Sequence, residues 1–295
     1  MAAVVLSLVV LGAGNIQAEE SQPESVSLVA SQAGIGSASV STYADFNNDG
    51  FDDLAIGIPG ETVGGFSDAG AVSIIYGSSS GLRSSAAGDG SGRADQFWHQ
   101  NIPSVEEAVE QQDRFGSSLS AGDFNGDGFM DLAIGVPFES VGTLQGAGAV
   151  HVLYGSNSGL QSSAPADQLW TQNSAGVEDS GEWKDAFGLS LAAGDFNNDG
   201  RDDLAIGSDE SVGSADHAGA VNVLYGSSSG LQTSAPADQL WTQDSPGVED
   251  IAEGEDDLAG DEFGSALAVG DFNNDGRDDL AIGAGNEGFG DSFDT

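Results

Sequence analysis

The chain contains no cysteine, a single lysine (Lys184) and only seven prolines in 295 residues. Without cysteine there can be no disulfide framework, thiolate metal site or cysteine nucleophile. Basic residues are almost as scarce, six against 48 acidic ones, giving a formal charge of −42. Such a surface repels nucleic acid and anionic membranes, so neither is expected as a partner. It fits a salty or calcium-rich medium, where counterions screen the self-repulsion. The apolar run from Ala2 to Gly14 is too short to cross a bilayer. Ile16-Gln17-Ala18 and then Glu19-Glu20 follow it, so residues 1–18 read as a secretory signal lacking its usual basic start. Residues 19–32 then form an N-terminal extension, and the protein is expected to be secreted, cell-surface or periplasmic, with no membrane insertion.

What is abundant is glycine, 45 residues of it, and an acidic nine-residue loop present four times. The copies run Asp45 to Asp53, Asp123 to Asp131, Asp195 to Asp203 and Asp271 to Asp279. Oxygen side chains recur at loop positions 1, 3, 5 and 9, with glycine at 6. A short backbone wraps a hard cation such as Ca²⁺ in this way, since that ion takes six to eight oxygens in a flexible shell. The side-chain ligands expected are Asp45, Asn47, Asp49 and Asp53; Asp123, Asn125, Asp127 and Asp131; Asp195, Asn197, Asp199 and Asp203; and Asp271, Asn273, Asp275 and Asp279. Position 7 varies (Phe51, Phe129, Arg201, Arg277), as it can if only its carbonyl is used. Position 8 is Asp52, Asp202 and Asp278 in three copies but Met130 in the second, so it reads as a solvated charge. Position 12, where an EF-hand needs glutamate, is Ile56, Ile134, Ile206 or Ile282. The loop therefore sits in a β-hairpin, and up to four Ca²⁺ are expected, one per hairpin.

The loops repeat at intervals of 78, 72 and 76 residues, and other segments keep phase with them. An alternating strand precedes each loop, and Asp-Leu-Ala-Ile-Gly follows it. Three copies add an Ala-Gly-Ala-Val strand and then an Asp-Gln-Phe/Leu-Trp segment. Four strands per repeat of this length predict an all-β protein, a β-propeller of four-stranded antiparallel blades. The repeats fall at about 33–110, 111–184, 185–260 and an incomplete 261–295. Fourteen strands can be counted, so the chain is expected to be part of a larger ring, with Ser25–Ala30 available as an extra outer strand.

Phe115-Gly116 and Gly135-Val136-Pro137 bracket the second metal loop. Phe187-Gly188 with Gly207, Phe263-Gly264 with Gly283, and Ile35-Gly36 with Gly57-Ile58-Pro59 follow the same plan. This arrangement resembles the FG-GAP repeats of integrin α-subunit propellers and related secreted proteins. The resemblance implies a calcium-binding propeller used for adhesion or ligand binding, with an extracellular protein or glycan as partner and further blades completing the ring.

Antiparallel order puts all four metal loops on one face and the long acidic connections between repeats on the other. Those connections read as a salt-adapted surface, or as a face for cationic groups or calcium-bridged glycans. Trp98, Trp170 and Trp241 recur and are expected to pack between blades. Trp183 does not recur and is the expected contact residue. His99 is replaced by Thr171 and Thr242, His151 by Ser73 and Asn222, and His217 stands in a loop, so no zinc site or histidine triad is read. No nucleophile and base stand out, so the chain is not expected to be an enzyme. The alternatives are a part, catalytic or not, of a secreted polysaccharide- or lipid-degrading enzyme, and a passive surface-layer scaffold.

Overall fold

A computed structural model describes residues 40–82, 95–248, 251–252 and 260–286. The signal segment, the N-terminal extension and the Ser25–Ala30 strand lie outside these residues. Within them are fourteen strands and no helix. The first sheet has β1 (Ser41–Ala44), β2 (Asp53–Ile58), β3 (Ala71–Ile75) and β4 (Gln96–Trp98) in sequence order. The second has β5 (Ser118–Gly122), β6 (Asp131–Val136), β7 (Ala149–Leu153) and β8 (Gln168–Trp170). The third has β9 (Ser190–Gly194), β10 (Asp203–Ser208), β11 (Ala220–Leu224) and β12 (Gln239–Trp241), while β13 (Phe263–Gly270) and β14 (Asp279–Ala284) form a two-stranded hairpin. These are blades of a β-propeller, with innermost strands β1, β5, β9 and β13 touching one after another.

The core lies between the blades. One cluster joins Phe46, Ile74 and Trp98 of the first blade to Leu119, Leu132 and Ile134 of the second. A second joins Phe124, Val152 and Tyr154 to Leu191, Leu204 and Ile206, with Trp170 packed against it. A third joins Phe196 and Val223 to Phe263, Leu267 and Leu280, with Trp241 alongside. The recurring tryptophans thus fill the blade interfaces. The β6, β7, β10 and β11 strands are buried on both faces because each central blade has a neighbour on either side, whereas β2 alternates buried and half-buried residues.

The bracketing glycines have a steric cause. A Cβ on Gly57 would sit 2.1 Å from the Gly116 carbonyl oxygen, and one on Gly135 would sit 2.2 Å from that of Gly188. Blade backbones meet directly at these points, leaving no space for a side chain. The neighbouring phenylalanines complete the joint: the amides of Phe115, Phe187 and Phe263 donate to the carbonyls of Ala69, Ala147 and Ala218 at 2.9, 3.0 and 2.8 Å. Each Phe-Gly pair therefore docks one blade onto the Ala-Gly-Ala-Val strand of the blade before it. The hydroxyls of Ser118 and Ser190 extend the joint by donating to the carbonyls of Gly188 and Gly264 in the following blade.

Candidate functional site

The four acidic loops are all first-hairpin turns, and their register is the same. Position 9 opens the second strand opposite the residue just before position 1: Asp53 faces Ala44, Asp131 faces Gly122, Asp203 faces Gly194 and Asp279 faces Gly270. Position 4 is left-handed as well as position 6. Asn48, Asn198 and Asn274 adopt φ near 51, 59 and 60°, and Gly126 takes that place in the second loop. Asparagine and glycine are the residues that tolerate this region, which explains why position 4 is always one of the two.

The carboxylates organise the turn. Position 1 accepts from the amides of positions 5 and 6: Asp45 from Asp49 at 3.0 Å and from Gly50 at 2.7 Å, with the same pairs at Asp123, Asp195 and Asp271. Position 5 accepts from position 7, so Asp49, Asp127, Asp199 and Asp275 each receive an amide from Phe51, Phe129, Arg201 or Arg277 at 3.0–3.1 Å. Asp53, Asp131 and Asp203 are fully buried. One oxygen of each accepts the amide of Phe46, Phe124 or Phe196, and the other that of Gly77, Gly155 or Gly226 beyond the third strand. The position-9 aspartate thereby ties the loop to the next turn on the same face.

Burial pushes these aspartates up, Asp53 to about 7, Asp131 to about 8 and Asp203 to about 7, and the position-1 and position-5 carboxylates add repulsion. Hydrogen bonds from the backbone only partly offset the effect. Asn47 is buried and donates to Asp53, while its Oδ1 has no partner. A carboxylate oxygen holding one N–H still has a lone pair to give. Mutually repelling acids, an orphaned amide oxygen and an oxygen-only donor set suit a hard cation, although the three carboxylates of a loop do not all come within 4.8 Å of one another.

Position 8 departs from the sequence expectation. Asp202 and Asp278 are not solvated charges: each reaches the preceding blade's loop and accepts the amide of its first residue, Asp123 at 2.7 Å and Asp195 at 3.0 Å. Burial, followed by the surrounding carboxylates, raises the Asp202 pKa. Met130 instead packs against the first interface cluster.

On the opposite face Trp183 is 60% exposed, with Phe138 and Phe66 at 44% and 43%. Together with Arg114, Lys184 and Glu110 they line a groove of about 660 Å³. The Lys184 ammonium lies 4.1 Å from the centre of the Trp183 ring, and the Arg114 guanidinium 4.9 Å from that of Phe138. Two of six basic residues in a strongly acidic chain thus converge on one aromatic depression. Sequence reasoning singled out Trp183 but missed its companions, which come from four separate connections.

The FG-GAP repeat family model matches residues 37–75, 115–153, 187–224 and 263–294, half of the chain. Phosphatidylinositol-glycan-specific phospholipase D of Bos taurus is 35% identical over 188 residues, which cover 64% of this chain and 20% of that protein. Integrin alpha-E of Mus musculus is 41% identical over 104 residues, covering 34% and 8% of the two chains. The chain thus spans about a fifth of the length of the phospholipase relative. A crystal structure of rhamnogalacturonan lyase YesW aligns with TM-score 0.43 and 14% identity over 83% of this chain and 40% of that one.

Proposed function

Because the chain belongs to the FG-GAP repeat family, we propose that it is a calcium-stabilised propeller module of a secreted or surface-attached protein, built to bind an extracellular protein or glycan. The observation that carries this reading is the groove around Trp183. Exposed aromatic rings beside two basic groups suit a ligand that offers both an apolar surface and negative charge. The metal loops lie on the other face, so calcium is assigned a structural role there: it pins each first hairpin and relieves the repulsion among its carboxylates. Among the described residues no helix is long and apolar enough to cross a membrane.

The test is a glycan and matrix-protein array probed with the intact chain and with Trp183→Ala, each with and without chelator. Binding that falls at least tenfold in the variant, while its melting temperature is unchanged, is expected. An array without a ligand, or binding indifferent to the substitution, overturns the reading.

Similarity to the phospholipase favours a second reading, in which the propeller is a non-catalytic part of a longer lipid-acting enzyme. In that case the full chain turns over neither phospholipids nor polysaccharides. Turnover by this chain alone would show that the site is within it.

A further inference from the structure

The face opposite the metal loops carries a second recurring group of acids. Glu110 and Asp113, from the connection leaving the first blade, meet Glu139 from the β6–β7 loop of the second. One blade further on, Glu182 and Asp185 meet Glu210 from the β10–β11 loop. In each trio an oxygen from every member lies within 4.8 Å of the others. The inner two acids are buried in both cases, and the outer glutamate is exposed. The ion pairs Arg201–Asp199 and His217–Asp209 involve none of the six.

A glutamine completes each group. Gln100 and Gln172 follow the outermost strands β4 and β8, are only 3% and 2% exposed, and aim their carboxamides at the trio. The Gln100 Nε2 donates to Glu139, and the Gln172 Nε2 to Glu210 at 2.6 Å. Both Oε1 atoms are buried without a partner. A half-turn of the carboxamide exchanges its nitrogen and oxygen, so each glutamine can present a neutral oxygen ligand to the same point. Three carboxylates and an amide oxygen form a hard-donor set, compatible with Ca²⁺ and poorly matched to softer metals.

We propose that Gln100, Glu110, Asp113 and Glu139, and equivalently Gln172, Glu182, Asp185 and Glu210, form two further sites for a hard divalent cation, each riveting one blade to the next. The loop sites close hairpins within a blade; these sites cross the joint between blades. Burial pushes Glu139 to about 8, Glu210 to about 7 and Asp113 to about 6, and neighbouring carboxylates add to the rise. The crowding is therefore costly when no cation is present.

The test counts calcium per chain by equilibrium dialysis at pH 7.5 and saturating calcium, for the intact protein, Glu139→Gln, Glu210→Gln and the double variant. Each single substitution is expected to lower the count by one and the double by two. Asp127→Ala, in a hairpin loop, should subtract its own ion in every background, so failure of the loop sites and failure of these sites give different patterns. An unchanged count in the double variant overturns the proposal and leaves the trios holding protons. Melting in chelator is the control, because a neutral glutamine relieves repulsion and the variants should melt no lower than the parent. If they do melt lower, terbium-soaked crystals of the intact protein decide: an anomalous peak within each trio supports the sites, and its absence refutes them.

Discussion

The amide of Asp123 donates to the carboxylate of Asp202 at 2.7 Å, joining the acidic loop of one blade to that of the next. Asp195 and Asp278 repeat the bond at 3.0 Å. The eighth loop position is therefore an inter-blade latch. Asp202→Ala is expected to cost about 1–3 kcal/mol by leaving the Asp123 amide without its partner. Asp52→Ala, at an exposed position, is expected to change stability by less than about 0.5 kcal/mol. Chemical denaturation of the two variants, both in saturating calcium, makes the comparison.

Within a loop, ligand and bystander should separate cleanly. Asp127→Ala removes the position-5 carboxylate, and with it the acceptor of the Phe129 amide. Calcium stoichiometry should fall by one, with a lower melting temperature in calcium and a smaller difference in chelator. Met130→Leu keeps the apolar contact with the first interface cluster and should leave the stoichiometry unchanged. Titration calorimetry of both variants checks the assignment. Equal calcium binding by the two would refute it.

The buried loop aspartates set a pH dependence for the chelated protein. Asp53, Asp131 and Asp203 have folded pKa values raised from 3.8 to about 7, 8 and 7. Between pH 4 and 8 the folded chain thus holds more protons at these sites than the unfolded chain, so stability falls as pH rises. Their contribution is complete below about pH 4 and is lost by about pH 8. Melting curves in chelator should decline across that window. Calcium should flatten the decline, because it takes the place of the proton.

The glycine joints should tolerate no side chain. A Cβ at position 135 would stand 2.0 Å from the Ser118 hydroxyl and 2.2 Å from the Gly188 carbonyl oxygen. Gly135→Ala is expected to lose about 3 kcal/mol or more through overpacking of the blade interface. Gly142→Ala serves as the control for backbone strain alone: unlike Gly135, which sits in strand β6, it has a positive φ of 64°, and no atom lies within 4 Å of the added carbon. It should cost about 1 kcal/mol. Thermal unfolding of the pair distinguishes collision from conformation.

The blade plan was legible from residue order because it depends on local chemistry. Loop oxygens at fixed spacing, the turn glycine and alternating apolar residues act within one hairpin. All four repeats carried them in phase, and the strands formed where that periodicity placed them. Trp98, Trp170 and Trp241 were legible as packing residues for the same reason, since they recur in every complete blade.

Other features depend on which blade stands next to which, and residue order does not state that. Asp202 looks like any surface aspartate until the Asp123 loop arrives beside it. Trp183, Phe138 and Phe66 meet only because propeller geometry gathers three connections on one face. Gln100 and Glu139, 39 positions apart, come together at a joint between blades. Local spacing specifies a hairpin and the oxygens along its turn; burial and long-range charge arise only when the blades close on one another and exclude water.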